Sequence, residues 1–252
     1  MMFASPEQSH AHSLKTLEAL YEYDDFMASI DTLVDLGCGH GLDLEWWSTR
    51  TSRDDNPDPL NIKCMGIDKN IDRVKIRTNS NITYQVGDFE TAVHGFKNTL
   101  FDVLWCHDTF QYVLDPLGTL ARWRNIANDN AMLVLILPQT TSFTQNRSDF
   151  IQPNHCYYHH TLVSLIHMLA VTGWDCREGF FYKHSNDPWI HAAVYKSQKE
   201  PMDAKLATWY DLADMKLLPE SAEISVHKHG FLRQQDLVLP WLDKNLVSYA
   251  KH

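Results

Sequence analysis

Long hydrophobic runs, paired cysteines and an excess of positive charge are all missing from this chain. The longest clearly apolar run, Met132 to Leu137, is too short to cross a bilayer, so no membrane-spanning helix is expected. The five cysteines (Cys38, Cys64, Cys106, Cys156 and Cys176) are odd in number, widely spaced and without a CxxC pair. That argues against a disulfide scaffold and a structural zinc site. The opening MMFASPEQSH has no basic stretch followed by an apolar one, so an export leader is not expected and a reducing cytoplasm fits best. Basic residues number 22 against 32 acidic ones, a formal charge of −10, whereas proteins that neutralise nucleic-acid phosphates carry a basic surface. Neither nucleic acid nor a membrane is therefore an expected partner. Protonating all 14 histidines while the carboxylates stay ionised would turn −10 into +4.

What is present suffices for a large core: 252 residues, 44% of them hydrophobic, fit one domain with an appendage. From Ser13 to Ile30 the residues Leu14, Leu17, Leu20, Tyr21 and Phe26 recur at mainly helical spacing, with Ser13 as N-cap. Thr32–Leu36 reads as a buried strand running into GCGHG, and Leu42–Thr49 as a helix. The polar, proline-containing Arg50–Asn61 reads as an inserted surface loop. Strands follow at Ile62–Ile67, Ile82–Val86, Phe101–Cys106 and Ala131–Leu137, with helices at Ile71–Arg77 and Pro116–Ile126. Gln139–His160 shows no period, Thr161–Thr172 reads as a helix, and strands at Trp174–Lys183 and Trp189–Tyr195 are joined by HSNDP in the manner of a hairpin. Apolar strands alternating with helices indicate an α/β fold, a parallel sheet covered on both faces that ends antiparallel.

The tail carries a helix with Leu206, Trp209, Ala213 and Leu217 on one side, an ambiguous AEISVHKHGFL, and a closing helix near Trp241–Tyr249. The expected division is a main domain over residues 1–198 and a C-terminal helical extension over 199–252, which covers the substrate site or forms a homodimer contact. Trp209 and Trp241 read as packing residues, and His227-Lys228-His229 as a solvated surface.

Ligands of open parallel sheets sit beyond the carboxyl ends of the strands. There the first strand meets Asp35-Leu36-Gly37-Cys38-Gly39-His40-Gly41, whose glycines allow a sharp turn and a close backbone approach. The spacing is GxGxG rather than GxGxxG, with an acid two residues ahead. Asp35 disfavours a pyrophosphate and favours a cationic amino or sulfonium group. Asp68, after the second strand, is placed to accept from ribose hydroxyls, and the insertion explains its unusual distance from Gly41. Asp88, in GDFE, is placed to accept from an adenine amino group, and Trp105-Cys106-His107-Asp108 closes the floor.

Together DLGCGHG, GID, GDFE, FDVLWCHDTFQYVLDP and LVLILP resemble the class I S-adenosylmethionine-dependent methyltransferases over roughly Leu33 to Ser197. The resemblance implies a Rossmann-like, doubly wound sheet of seven strands, mostly parallel with the last strand antiparallel, and S-adenosylmethionine as cofactor. By position, Asp35, Gly37, Cys38, Gly39 and Gly41 would line its methionine end. Asp68 would hold the ribose, with Lys69 in the same cofactor-binding set, and Asp88 and Phe89 would hold the adenine. Cys106 and His107 would lie under the sulfonium, and Asp108, Tyr112, His155 and Tyr157 would face the acceptor.

The implied reaction is an in-line displacement at the methyl group, in which positioning supplies most of the catalysis. If the acceptor is a hydroxyl, a base is useful: His107 first, then Asp108, His155, His159 and His160. The His155–His160 cluster reads as an aromatic loop, and no metal is expected. CHDT stands where a nucleobase N-methyltransferase would carry Asn/Asp-Pro-Pro-Tyr/Phe, and no Pro-Cys marks a cytosine C5 enzyme. The reading is methyl transfer to a small molecule. The alternatives left open are cofactor hydrolysis, aminopropyl transfer and a non-catalytic cofactor-binding module.

Overall fold

The structure, a computed structural model, describes residues 6–52, 58–70, 79–91, 96, 99–139, 158, 160–183 and 189–250. Seven strands form its centre: β1 (Thr32–Leu36), β2 (Lys63–Asp68), β3 (Ile82–Val86), β4 (Phe101–His107), β5 (Ala127–Pro138), β6 (Trp174–Tyr182) and β7 (Trp189–Lys196). Their order is β3-β2-β1-β4-β5-β7-β6. β1 to β5 pair in parallel, and β7 runs antiparallel to both β5 and β6. The order reverses direction between β1 and β4, which opens a crevice beyond the carboxyl ends of those two strands.

Alternation along the strands divides the core between the two faces. Leu133, Leu135 and Leu137 of β5 pack with helices α4 (Pro116–Asn125) and α5 (Leu162–Val171). Met132, Val134 and Ile136 pack on the other side with α1 (Pro6–Tyr21) and α3 (Leu42–Ser48), and a short helix, α2 (Asp24–Met27), joins that layer. All six side chains are fully buried, each contributing about 1.5–3 kcal/mol of transfer free energy. The helix starts are specified locally. Asp115 accepts from Gly118 N ahead of Pro116 at the head of α4, and Thr161 with Ser164 forms a capping box on α5.

Several expectations change. Ser13 is no cap: α1 begins at Pro6, ends at Tyr21, and turns Ser13 inward to a buried carboxylate. Leu206 is 76% exposed and precedes α6 (Trp209–Asp214), which Thr208 caps. The ambiguous segment is helix α7 (Glu220–His229), stopped by Gly230 at φ 81°. The closing helix expected near Trp241–Tyr249 is instead a hairpin, β8 (Val238–Pro240) and β9 (Leu246–Ser248). Its turn has Lys244 at φ 66° and Trp241 N donating to Asn245 O at 3.0 Å, so Asp-Lys-Asn turn chemistry overrides the helical spacing. The extension is therefore mixed rather than helical. Leu212, Leu217, Ala222 and Val226 share the core of α5 and β6, and Tyr249 Oη donates to Phe181 O. The helix expected at Ile71–Arg77 and the HSNDP link lie outside the described residues.

Candidate functional site

The first loop bends back under the sheet because Gly37 N and Cys38 N both donate to Ile67 O at the end of β2, at 2.8 and 3.1 Å. Gly37 has φ 94°, and a Cβ there would lie 2.3–2.8 Å from the Thr109 side chain. Thr109 is itself fixed by donating to His107 O at 2.9 Å. Gly37→Ala should therefore cost about 1–3 kcal/mol, from backbone strain and overpacking. Chemical denaturation would measure it, and an unchanged midpoint would mean that Thr109 swings aside freely. Gly39 is different: among the described residues a Cβ there would meet nothing within 4 Å, so the loop presents open space to them at that point. Cys38 is buried, its thiol pushed up by desolvation and by the neighbouring carboxylates.

Asp68 ends β2 with its carboxylate folded back over this loop, accepting from Gly39 N at 3.0 Å and from Asn70 N at 2.9 Å. Asp88 accepts from Glu90 N at 3.0 Å and pairs with the largely exposed Lys69 at 3.1 Å. The Lys69 ammonium also stands 5.9 Å from the Phe89 ring centroid. The Phe89 ring is buried against Trp123 in the core, so what it can offer a ligand is its main chain. Buried Glu90 accepts from Leu114 N through both oxygens and so ties this loop to the one after β4.

At the crevice itself, Asp35 is 3% exposed. Burial first, then the charges of Asp43 and Asp68, push its carboxyl well above the ordinary range. A buried acid made costly in this way gains most from a cationic ligand. Cys106 is wholly buried among the residues packed on α4 and α5, and alternation sends the next side chain, His107, to the other face. There its Nδ1 lies 3.1 Å from Asp43 Oδ2, while its Nε2 is buried without a partner among the described residues. Asp108 has φ 52° and accepts from Gln111 Nε2 at 2.7 Å. Its carboxyl is pushed up by burial. Tyr112, half-buried, closes a 3-10 turn over Phe110–Tyr112. His155, Tyr157 and His159 lie outside the described residues. His160 is buried beside Phe110, bridged through its main chain to Gln139.

Sequence reasoning missed Asp43. An acid in the first turn of a helix reads as a complement to the helix dipole, and nothing local links it to His10 or Ser13 on α1. Among the described residues no cluster of His, Cys, Asp or Glu is arranged to hold a metal ion, and no helix is long and apolar enough to cross a membrane. A cavity of about 410 Å³ opens over the starts of α4 and α5, between Leu114, Leu117, Tyr158, Ser164 and Met168.

Residues 10–178 match the family described as methyltransferase domain. The chain belongs to that family. With its sheet order and antiparallel β7, it is a class I S-adenosylmethionine-dependent methyltransferase of Rossmann-like fold. No curated protein sequence matches it. Among solved structures, it is similar to an S-adenosylmethionine-dependent methyltransferase from Archaeoglobus fulgidus at 16% identity, covering 74% of this chain and 94% of that one with a TM-score of 0.54. It is also similar to the plantazolicin methyltransferase in complex with S-adenosylhomocysteine and a triazolic desmethylPZN analogue, at 13% identity, 78% and 93% coverage and a TM-score of 0.53. Phosphoethanolamine N-methyltransferase 2 of Haemonchus contortus, solved with S-adenosyl-L-methionine, matches at 12% identity with a TM-score of 0.54; the match covers 73% of this methyltransferase and 53% of that chain. At these identities the likeness is one of fold.

Proposed function

We propose that this methyltransferase transfers the methyl group of S-adenosylmethionine to a small-molecule acceptor in the crevice between the ends of β1 and β4. The observation that carries the reading is the pairing of a buried, electrostatically costly Asp35 with the open backbone at Gly39 and the Asp68 carboxylate across it. In this reading the Asp35–Gly41 loop holds the cationic methionine end, and Asp68 accepts from the ribose hydroxyls. The Asp88–Phe89 loop meets the adenine, with Lys69 alongside. When bound, the cofactor supplies an electrophilic methyl group on a positively charged sulfur. The protein supplies position and dryness: Gly37 and Thr109 fix the floor, and His107, Asp108 and Tyr112 stand on the acceptor side. The four cysteines among the described residues are buried and free, which supports a reducing compartment, and the acidic charge supports an acceptor other than nucleic acid.

Isothermal titration with S-adenosylmethionine and S-adenosylhomocysteine, followed by mass spectrometry over a panel of hydroxyl, amine and thiol compounds, tests the proposal. Saturable binding and a methyl-mass gain on a panel compound are expected. Binding with cofactor breakdown and no methylated product would favour hydrolysis. Asp68→Ala should weaken cofactor binding by about 1–3 kcal/mol, since two ribose hydroxyls lose a charged acceptor. Unaltered affinity would remove Asp68 from the site.

A further inference from the structure

Asp43, in the first turn of α3, is the most heavily used buried carboxylate beside the crevice. Its Oδ1 lies 2.5 Å from His10 Nδ1 and accepts from Ser13 Oγ at 2.7 Å, both on α1. Its Oδ2 accepts from Trp105 Nε1 at 2.8 Å and lies 3.1 Å from His107 Nδ1, both on β4. The facing titratable groups are His10 from α1, His107 from β4 and Asp35 from β1. Burial alone would push this carboxyl up, but the hydrogen bonds of His10 and His107 outweigh it and hold it well below the usual range.

An ionised carboxylate only accepts, so the imidazole nitrogen facing it must carry the hydrogen. His107 is therefore held with hydrogen on Nδ1, and its neutral form carries the lone pair on Nε2. That Nε2 is buried, has no partner among the described residues, and belongs to a side chain 7% exposed at the carboxyl end of β4, beside the switch between β1 and β4. A buried acceptor without a donor is an expensive arrangement unless a ligand supplies one.

We infer that Asp43 is a positioning residue: it presents His107 Nε2 as the proton acceptor for a substrate hydroxyl, and through His10 and Ser13 it couples that orientation to the seating of α1. The inference rests on the methyl-transfer reading and names the acceptor class as one that loses an O–H proton. As the acceptor oxygen bonds to the methyl carbon, the sulfur keeps the electron pair of the bond it loses. The hydroxyl proton passes to Nε2, and the resulting imidazolium is stabilised by Asp43 and later gives its proton to water.

The test uses the full chain labelled with ¹⁵N-histidine. In the wild-type spectrum, with His107 assigned through His107→Gln, Nδ1 should be protonated and Nε2 not. Asp43→Asn should abolish that single tautomer while leaving the fold, by circular dichroism, and the S-adenosylhomocysteine affinity within about threefold. On the hydroxyl compound that the wild type methylates, Asp43→Asn should lower kcat about 100-fold or more with KM within about threefold, and Asp43→Glu should restore part of it. A purely structural role would reduce the folded fraction and leave kcat per folded molecule unchanged. Hydrogen on Nε2 in the wild type overturns the proposal even if Asp43→Asn fails to fold. So does an unchanged tautomer in that variant, or methylation confined to amines and thiols. Failure of the wild type to bind S-adenosylmethionine would instead sink the methyl-transfer reading and leave the tautomer result standing.

Discussion

Asp35→Asn is expected to raise the melting temperature of the ligand-free enzyme at neutral pH and, in the same molecule, to weaken cofactor binding by about 2–5 kcal/mol. Both effects come from one group. Asp35 is buried, and desolvation together with Asp43 and Asp68 raises its carboxyl well above the usual range. Between the ordinary and the raised value the folded state holds more protons than the unfolded one. Stability therefore falls as pH rises through that window, and above it the penalty is complete. Asparagine removes the penalty at pH 7–8 but changes little below the ordinary value of 3.8, where the acid is neutral in both states. The proposed cofactor site turns the same charge to use, because truncating one partner of a buried, hydrogen-bonded charge pair costs about 2–5 kcal/mol. Thermal melts at pH 4 and pH 8 with and without S-adenosylmethionine, and titration calorimetry, measure both halves. S-adenosylhomocysteine, which keeps the amino group and lacks the sulfonium, should lose as much affinity if Asp35 faces the methionine end. A variant that melts lower at pH 8 and binds the cofactor as before would refute the assignment.

Asp43→Ala should destabilise the fold by about 3–5 kcal/mol, the usual consequence of leaving buried donors without their charged partner. His10, Ser13, Trp105 and His107 all lose their acceptor at once. For a chain of this length, that is a fall in melting temperature of roughly 6–20 °C. The sign with pH is fixed. The Asp43 carboxyl is depressed, so its contribution is present above the ordinary value of 3.8 and is lost as pH falls through the folded value. His10 is raised, chiefly by its hydrogen bond to Asp43, so its contribution is full below 6.5 and is lost as pH rises through its higher folded value. The gap between wild type and variant should therefore be widest between about pH 4 and 6.5. Paired denaturant titrations at pH 5 and pH 8 would show it, and an equal gap at both values would mean that His10 contributes no charge.

The sheet was legible because its strands are short apolar runs punctuated by acids and glycines. Each of the seven appears within a few residues of its expected place, including the antiparallel β7. Where expectation failed, local turn chemistry or tertiary contact prevailed. The helical spacing of Trp241 to Tyr249 yields to a turn at Lys244, and Ser13, a plausible cap, is turned to Asp43 by an interaction spanning thirty residues. The first loop was likewise readable, since a glycine that would collide with Thr109 has to be glycine. Asp43 was not. Its meaning depends on four donors from two distant elements, and no spacing rule within seven residues of α3 contains them.

The position of β5 has a consequence during synthesis. Its neighbour on one side, β7, follows β6 in the chain yet lies between β5 and β6. A nascent polypeptide emerging from the ribosome cannot complete the pairing of its most apolar strand until residue 196 has cleared the exit tunnel. Until then that edge is open to stray association, so truncated translation products ending before β7 are the species that chaperones would have to shelter.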